Sequence, residues 1–200
     1  SPLYDKEKFE VISEEVSEEK ILTTLNKSDQ TISANAEAVL SKNSLKPPKR
    51  RGDTIASQDY VGPQATKDTW EKLKKEGCFS FQYLWGGENP LIYLRDPNQL
   101  PDLLNPKKDG FANLSFLLGC SNWILASNAY MNPWIHLQTT SHNFRAVPMG
   151  TPLIAEMQVK DCYDKKGHEF IDVDVNLFDE RDEECIMMIN LLAIYKVRGA

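Results

Sequence analysis

From Phe111 to Tyr130 the chain runs about twenty residues without a charged side chain. Wound as a helix, that segment carries apolar residues on nearly every side: Phe111, Leu114, Phe116, Leu117, Leu118, Trp123, Ile124 and Leu125. A helix that is apolar almost all round has to be enclosed by the rest of its domain. Asn113, Ser115, Ser121, Asn122, Ser127 and Asn128 make the same stretch too polar for a bilayer span. The enclosure must therefore come from protein.

Downstream residues can supply it. Pro133 is expected to end the helix, and four strand candidates follow: Trp134 to Phe144, Leu153 to Tyr163, Ile171 to Leu177 and Ile186 to Val197. In the third, Ile171, Val173, Val175 and Leu177 alternate with Asp172, Asp174 and Asn176, the pattern of a half-buried antiparallel strand. The connectors Val147 to Gly150, Asp164 to Gly167 and Asp179 to Glu184 are rich in turn residues. Upstream, Thr66 to Lys75 predicts a capped helix stopped by Gly77, and Thr54 to Val61 is strand-like. From Cys78 to Trp85 aromatic residues alternate in another strand pattern, and Pro97 to Asp109, with three prolines, is expected to be a loop.

The N-terminal part differs in character. Of nineteen aromatic residues only Tyr4 and Phe9 precede Tyr60, so little core can form there. Ser17-Glu-Glu-Lys20 reads as a helix start, and Ile21, Leu22, Leu25 and then Ile32, Ala36, Val39, Leu40 predict two short amphipathic helices. Leu45 to Asp53 reads as a solvated basic hinge, whose Lys46, Lys49, Arg50 and Arg51 could instead meet a phosphate. The expected organisation is a helical arm with basic linker over residues 1–53 and one domain over residues 54–200. The first 77 residues could also be the remains of an incomplete preceding repeat.

Composition narrows the partners. A net charge of −6 and a pI near 5.2 argue against nucleic-acid binding. No basic-then-apolar leader opens the chain, so a soluble protein of the cytoplasm, with no membrane partner, is expected. Cys78, Cys120, Cys162 and Cys185 form no C-x-x-C pair, and His136, His142 and His168 are scattered, so reduced thiols, no metal and no cofactor are expected.

Three segments carry a resemblance. Asn143 to Val159 contains Val147-Pro-Met-Gly150-Thr-Pro-Leu153, which resembles the "V-x-x-G-x-x-L" turn and strand of hotdog proteins. Asp164 to Val175 is similar to the hairpin that follows, and Ala193 to Arg198 to the closing strand. The series resembles the hotdog superfamily, nearest its MaoC-like acyl hydratases and dehydratases, over a core of residues 78–198. The resemblance implies an α+β hotdog fold, with the long helix wrapped by a curved antiparallel sheet. It also implies a homodimer and an acyl thioester of coenzyme A or acyl carrier protein as ligand. The MaoC-like motif G-D-x-N-P-hydrophobic-H has its nearest counterpart in Gly86-Gly87-Glu88-Asn89-Pro90-Leu91-Ile92. Gly87 then stands where the catalytic Asp belongs, and Ile92 where the His belongs.

Hydration of an enoyl thioester needs a base and a set of oxyanion donors. Glu88, Asp109 and His142 are the catalytic candidates. Gly110, Phe111, Asn113, Ser115 and His136 are the ligand-binding candidates, the amides from Gly110 to Asn113 being placed to receive the thioester carbonyl. His136, Gln138, Thr140 and His142 should form one polar stripe on a strand face. Phe79, Phe81, Tyr83 and Trp85 could line an acyl tunnel. Bland roles compete throughout: a helix-initiating Asp109, hydrogen-bonded histidines, a turn acid at Glu88. The functions left open are a lyase with rewired acid–base groups, a catalytically silent hotdog binding or interaction module and, more remotely, a thioesterase.

Overall fold

The computed structural model describes residues 3–41, 45–86, 100–105 and 108–199. The chain divides into two compact units, residues 1–46 and 47–200.

The first unit is a three-stranded antiparallel meander of β1 (Phe9–Ser17), β2 (Lys20–Lys27) and β3 (Ile32–Val39), in place of the two expected helices. Ser17 to Lys20 is the reversal between β1 and β2, where the Glu19 amide donates to Ser17 Oγ at 3.4 Å, and not a helix cap. A second reversal places Gln30 at a positive φ of 65°, with Thr31 N donating to Asp29 Oδ1. Val11, Leu25 and Ala34 lie side by side across the three strands. The apolar residues therefore serve a two-residue period, which their spacing in sequence also allows. Among the described residues this unit contains no helix.

The second unit is α+β. Its sheet runs in the order β4 (Phe81–Leu84), β6 (Pro152–Lys165), β7 (His168–Asp179), β8 (Cys185–Lys196), β5 (Ile135–Asn143), all antiparallel. The strands after the helix are thus not a simple meander: β5 crosses to the far edge and pairs with β8. One face of the sheet is the core. Val159, Val173 and Leu191 are cross-strand neighbours on it, as are Met157, Val175 and Ile189, all buried. Two helices pack on the sheet. α1 (Lys67–Glu76) starts at Thr66, whose side chain accepts from Thr69 N, and buries Trp70 against Tyr195. α2 (Leu114–Asn128) lies against β6 and β8. The expected strand at Thr54 to Val61 reduces to a single parallel bridge between Ile55 and Ser80.

α2 corrects the picture of an enclosed twenty-residue helix. Phe116, Leu117, Cys120, Ser121, Ile124, Leu125 and Asn128 form one buried stripe, whereas Leu114 is 54% exposed and Ser115 and Ala126 also face outward. The helix is shorter at both ends because its flanks have other backbone partners. Gly110 N donates to Asn105 O, Phe111 N to Leu103 O and Ala112 N to Val147 O. At the far end Tyr130 N donates to Pro63 O, so the helix stops before Pro133 is reached.

The expected wet linker is a strap on the sheet. The side chain of Glu156 on β6 is fully buried and accepts from Arg51 N at 2.8 Å, Gly52 N at 2.9 Å and Asp53 N at 3.3 Å. Its Oε1 also meets Arg50 Nε at 3.3 Å, and Arg50 reaches on to Glu183 at 2.7 Å. Arg51 spans Asp53 and the Met157 carbonyl. Residues 50–53 thus belong to the larger unit, and the two arginines of the basic run are committed within the fold.

A second carboxylate knot closes the β7–β8 turn. Asp179 is buried and accepts from Arg181 Nε at 2.9 Å and Arg145 Nη2 at 3.0 Å. The Arg181 hydrogen bonds, assisted by the Arg145 charge, hold its carboxyl below the usual carboxylate range. A folded-state pKa below the unfolded one adds stability that is complete above the ordinary carboxylate value and is lost as pH falls through the folded value. Acid titration of thermal stability should show this loss, and Asp179→Asn should flatten the acid limb relative to the parent chain.

Candidate active site

Gly110 is where the candidate ligand-binding segment is fixed. A Cβ at this position would stand 2.5 Å from Asn105 N and 2.7 Å from both Asn105 O and Asp102 O, so the backbone itself demands glycine. The Gly110 carbonyl accepts from Trp85 Nε1 at 2.7 Å. With the amides of Gly110, Phe111 and Ala112 already donating to carbonyls, the Gly110–Phe111 part of the expected oxyanion cradle is occupied by the fold. Asn113 is the N-cap, its Oδ1 accepting from Phe116 N at 2.9 Å, which is the local backbone role. Of the first-turn amides, those of Leu114 and Ser115 have no intrahelical acceptor by helix geometry. Ser115 and Phe111 are both exposed.

Among the described residues no hydrogen bond or ion pair joins the catalytic candidates Asp109 and His142. Asp109 sits on an exposed turn at a φ of 54°, separated from α2 by residues 110–113, so it does not initiate the helix. Glu88, with Gly87, Asn89, Pro90 and Ile92, lies outside the described residues. The histidine stripe is broken by a bulge. His136 pairs with Ala193 but Gln138 with Leu192, so Leu137 is an extra residue in β5. One inserted residue inverts the alternation. His136 therefore shares the core-side face with Thr139, while Gln138, Thr140 and His142 share the opposite face with Leu192, Asn190 and Met188. The bonds agree: His136 Nδ1 lies 3.0 Å from Asn122 Oδ1 on α2 and Nε2 contacts Thr139 Oγ1. Burial pushes the His136 pKa down. His142 packs its ring on Phe144, centroids 4.7 Å apart. His168 accepts from Arg198 N at the β6–β7 turn.

The aromatic run is packing, not a tunnel. Trp85 is fully buried against Phe116 at 5.0 Å, and Tyr83 and Phe116 both meet Trp123. Phe79 and Phe81 instead meet Tyr60. The four thiols are buried and unpaired, and burial pushes Cys78 and Cys162 up to about 11 and Cys185 up to about 12, so none is a thiolate at neutral pH. Among the described residues no group of three or more His, Cys, Asp or Glu is placed to hold a metal ion, and no helix is long and apolar enough to cross a membrane.

What the sequence reading missed is a groove of about 440 Å³ at the C-terminal end of α2, lined by Tyr60, Val61, Gly62, Gln64, Phe81, Ala126, Ser127 and Tyr130. The only signal for it in sequence is the apolar Tyr60-Val61 pair before Gly62-Pro63, which is ambiguous by itself.

No family model matches the chain, and no curated protein matches it. Among solved structures it is similar to the unliganded R-hydratase PhaJ1 from Pseudomonas aeruginosa, at 13% identity over 58% of this chain and 78% of that one, with a TM-score of 0.44. It is also similar to smu.793 from Streptococcus mutans UA159 bound to acetyl CoA, at 10% identity over 80% and 98%, with a TM-score of 0.43. A third is C-terminally truncated HadBC, the 3R-hydroxyacyl-ACP dehydratase complex of Mycobacterium tuberculosis, at 11% identity over 58% and 95%, with a TM-score of 0.42. These are proteins of the hotdog fold, the one the sequence resembles. At such identities and TM-scores the likeness decides neither family nor activity.

Proposed function

We propose that residues 47–200 form a hotdog-type domain that binds an acyl thioester of coenzyme A or acyl carrier protein without hydratase or dehydratase turnover. The observation that carries this reading is the placement of Asp109 and His142, the acid–base candidates among the described residues. Asp109 is on an exposed turn, His142 faces away from α2, and Gly87 and Ile92 occupy the two motif positions that need Asp and His. A proton-transfer group must lie within hydrogen-bond reach of the reacting atom, directly or through one water. The thioester carbonyl is assigned to the Leu114 and Ser115 amides, the first-turn donors that the helix leaves without acceptors. Binding at a helix N-terminus needs no titrating side chain, which suits a site holding a ligand rather than transforming it.

A homodimer belongs to the same proposal. β5 is an edge strand with Ile135 and Leu137 exposed, and the outward side of α2 carries the exposed Leu114. A second copy would cover the unpaired strand edge and the apolar side of the helix together.

Titration calorimetry with short saturated and enoyl thioesters, alongside sedimentation of the same samples, tests this reading. The expected result is saturable binding below millimolar by a dimer, with no product formed from the enoyl thioesters. Absence of binding would replace the reading by a partner-binding module. Turnover that survives Glu88→Gln, Asp109→Asn and His142→Ala would place the chemistry on other residues.

A further inference from the structure

The groove at the C-terminal end of α2 has three properties of a built site. It is preformed: Ala65 N donates to Tyr130 O at 2.8 Å and Tyr130 N to Pro63 O at 2.7 Å, tying the loop after Tyr60 to the residues that follow the helix. Gly62 tightens the same junction, because a Cβ there would stand 2.5 Å from Ser127 O. Asn128 pins the helix end to the strand side, accepting from Phe79 N at 2.8 Å and donating to Phe79 O at 3.0 Å. These bonds fix the walls in the absence of any ligand, which spares a ligand the cost of ordering them.

Among the described residues the lining is uncharged. None of its eight residues is Asp, Glu, Lys or Arg, in a chain of which 26% is charged. The rings of Tyr60, Phe81 and Tyr130 and the side chain of Val61 give it an apolar interior, with Val61 85% exposed at the rim. A volume of about 440 Å³ lies in the usual range for small-molecule sites. Hydrogen-bonding capacity is confined to a few positions. The Tyr60 hydroxyl is held loosely, 3.4 Å from Asn128 O, and Gln64, Ser127 and Tyr130 complete the polar set. Burial raises the Tyr60 pKa, so its hydroxyl keeps the proton it would donate.

We infer that this groove is a binding site for an uncharged apolar small molecule carrying one hydrogen-bond acceptor, separate from the thioester site proposed above. Charge complementarity selects the class: a charged occupant would meet no counter-charge among the described lining residues. Apolar area and ring faces favour a hydrocarbon or aromatic body, and the tyrosine hydroxyls favour a carbonyl or ether oxygen at one end. The two sites stand at opposite ends of α2, about 20 Å apart for fifteen residues of helix.

The test uses the full chain and the uncharged fluorescent probe 6-propionyl-2-dimethylaminonaphthalene, whose ketone oxygen supplies the acceptor. Saturable binding is expected for the parent chain. Ala126→Trp, at an exposed helix position, fills the groove and should weaken binding by at least about tenfold, a difference of about 1.4 kcal/mol. Val61→Asp, at a residue too exposed to matter for folding, places a charge on the rim and should weaken it in the same direction. Circular dichroism checks that both variants keep the parent fold. Octyl methyl ether and octanal should both displace the probe, and octane, which has no acceptor, should displace it less. No saturable binding, or binding unchanged in both variants, would overturn the site. Thioester binding that persists in Ala126→Trp after the probe is lost would support two separate sites. Joint loss of both ligands in a folded Ala126→Trp would overturn their separation.

Discussion

Glu156→Ala is expected to lower the stability of residues 47–200 by about 3–5 kcal/mol, the range for removing one partner of a buried ion pair. The physical reason is what stays behind. With the carboxylate gone, three backbone N–H groups at Arg51, Gly52 and Asp53 lose their acceptor, and the Arg50 guanidinium, 15% exposed, loses its buried counter-charge. Glu156→Gln preserves volume but puts an NH₂ donor among donors, so it should lose about 1–3 kcal/mol. Glu183→Ala removes the exposed partner of the same arginine and should cost less than about 1 kcal/mol. Urea unfolding followed by tryptophan fluorescence reads this unit selectively, because Trp70, Trp85, Trp123 and Trp134 all belong to it. Equal midpoints for Glu156→Ala and Glu183→Ala would mean that the strap is not anchored by the buried carboxylate.

That strap also marks where sequence reasoning stops. β6, β7 and β8 could be read directly, because Ile171, Val173, Val175 and Leu177 bury one face while Asp172, Asp174 and Asn176 occupy the other. α1 could be read from Thr66 and Gly77, since capping is local chemistry. Arg51 and Glu156 are 105 residues apart, and no local pattern announces that a basic run will fold onto a buried acid. The N-terminal meander departs from the expected helices because Ile21, Leu22 and Leu25 fit a helical stripe as well as a strand, and few large side chains nearby decide between them. The surroundings of the candidate site residues were hidden for two further nonlocal reasons. A single bulge at Leu137 separated His136 from His142, and the amides of Gly110 and Phe111 found acceptors in the loop at residues 103–105. Both events depend on register and chain path, which residue types do not encode singly.

Trp85→Ala is the other change expected to be severe, at about 3–5 kcal/mol. The indole is fully buried, packs on Phe116 and donates to the Gly110 carbonyl at 2.7 Å, so its removal combines a cavity with an orphaned acceptor. Trp85→Phe separates the two effects. It keeps most of the ring contact with Phe116 and removes only the donor, for which about 1–2 kcal/mol is expected. The local consequence is more informative than the total. Gly110 sits where no side chain fits, and the ring of Trp85 holds its carbonyl in place ahead of the α2 N-terminus. In Trp85→Phe the amides of Gly110, Phe111 and Ala112 should exchange with solvent faster than in the parent chain, while those of β7 should not. Uniform acceleration across both regions would assign Trp85 to the general core alone. Acceleration confined to residues 110–112 would show that the indole N–H fixes the entry to α2, and thioester affinity should then fall in this variant although no ligand contact has been removed.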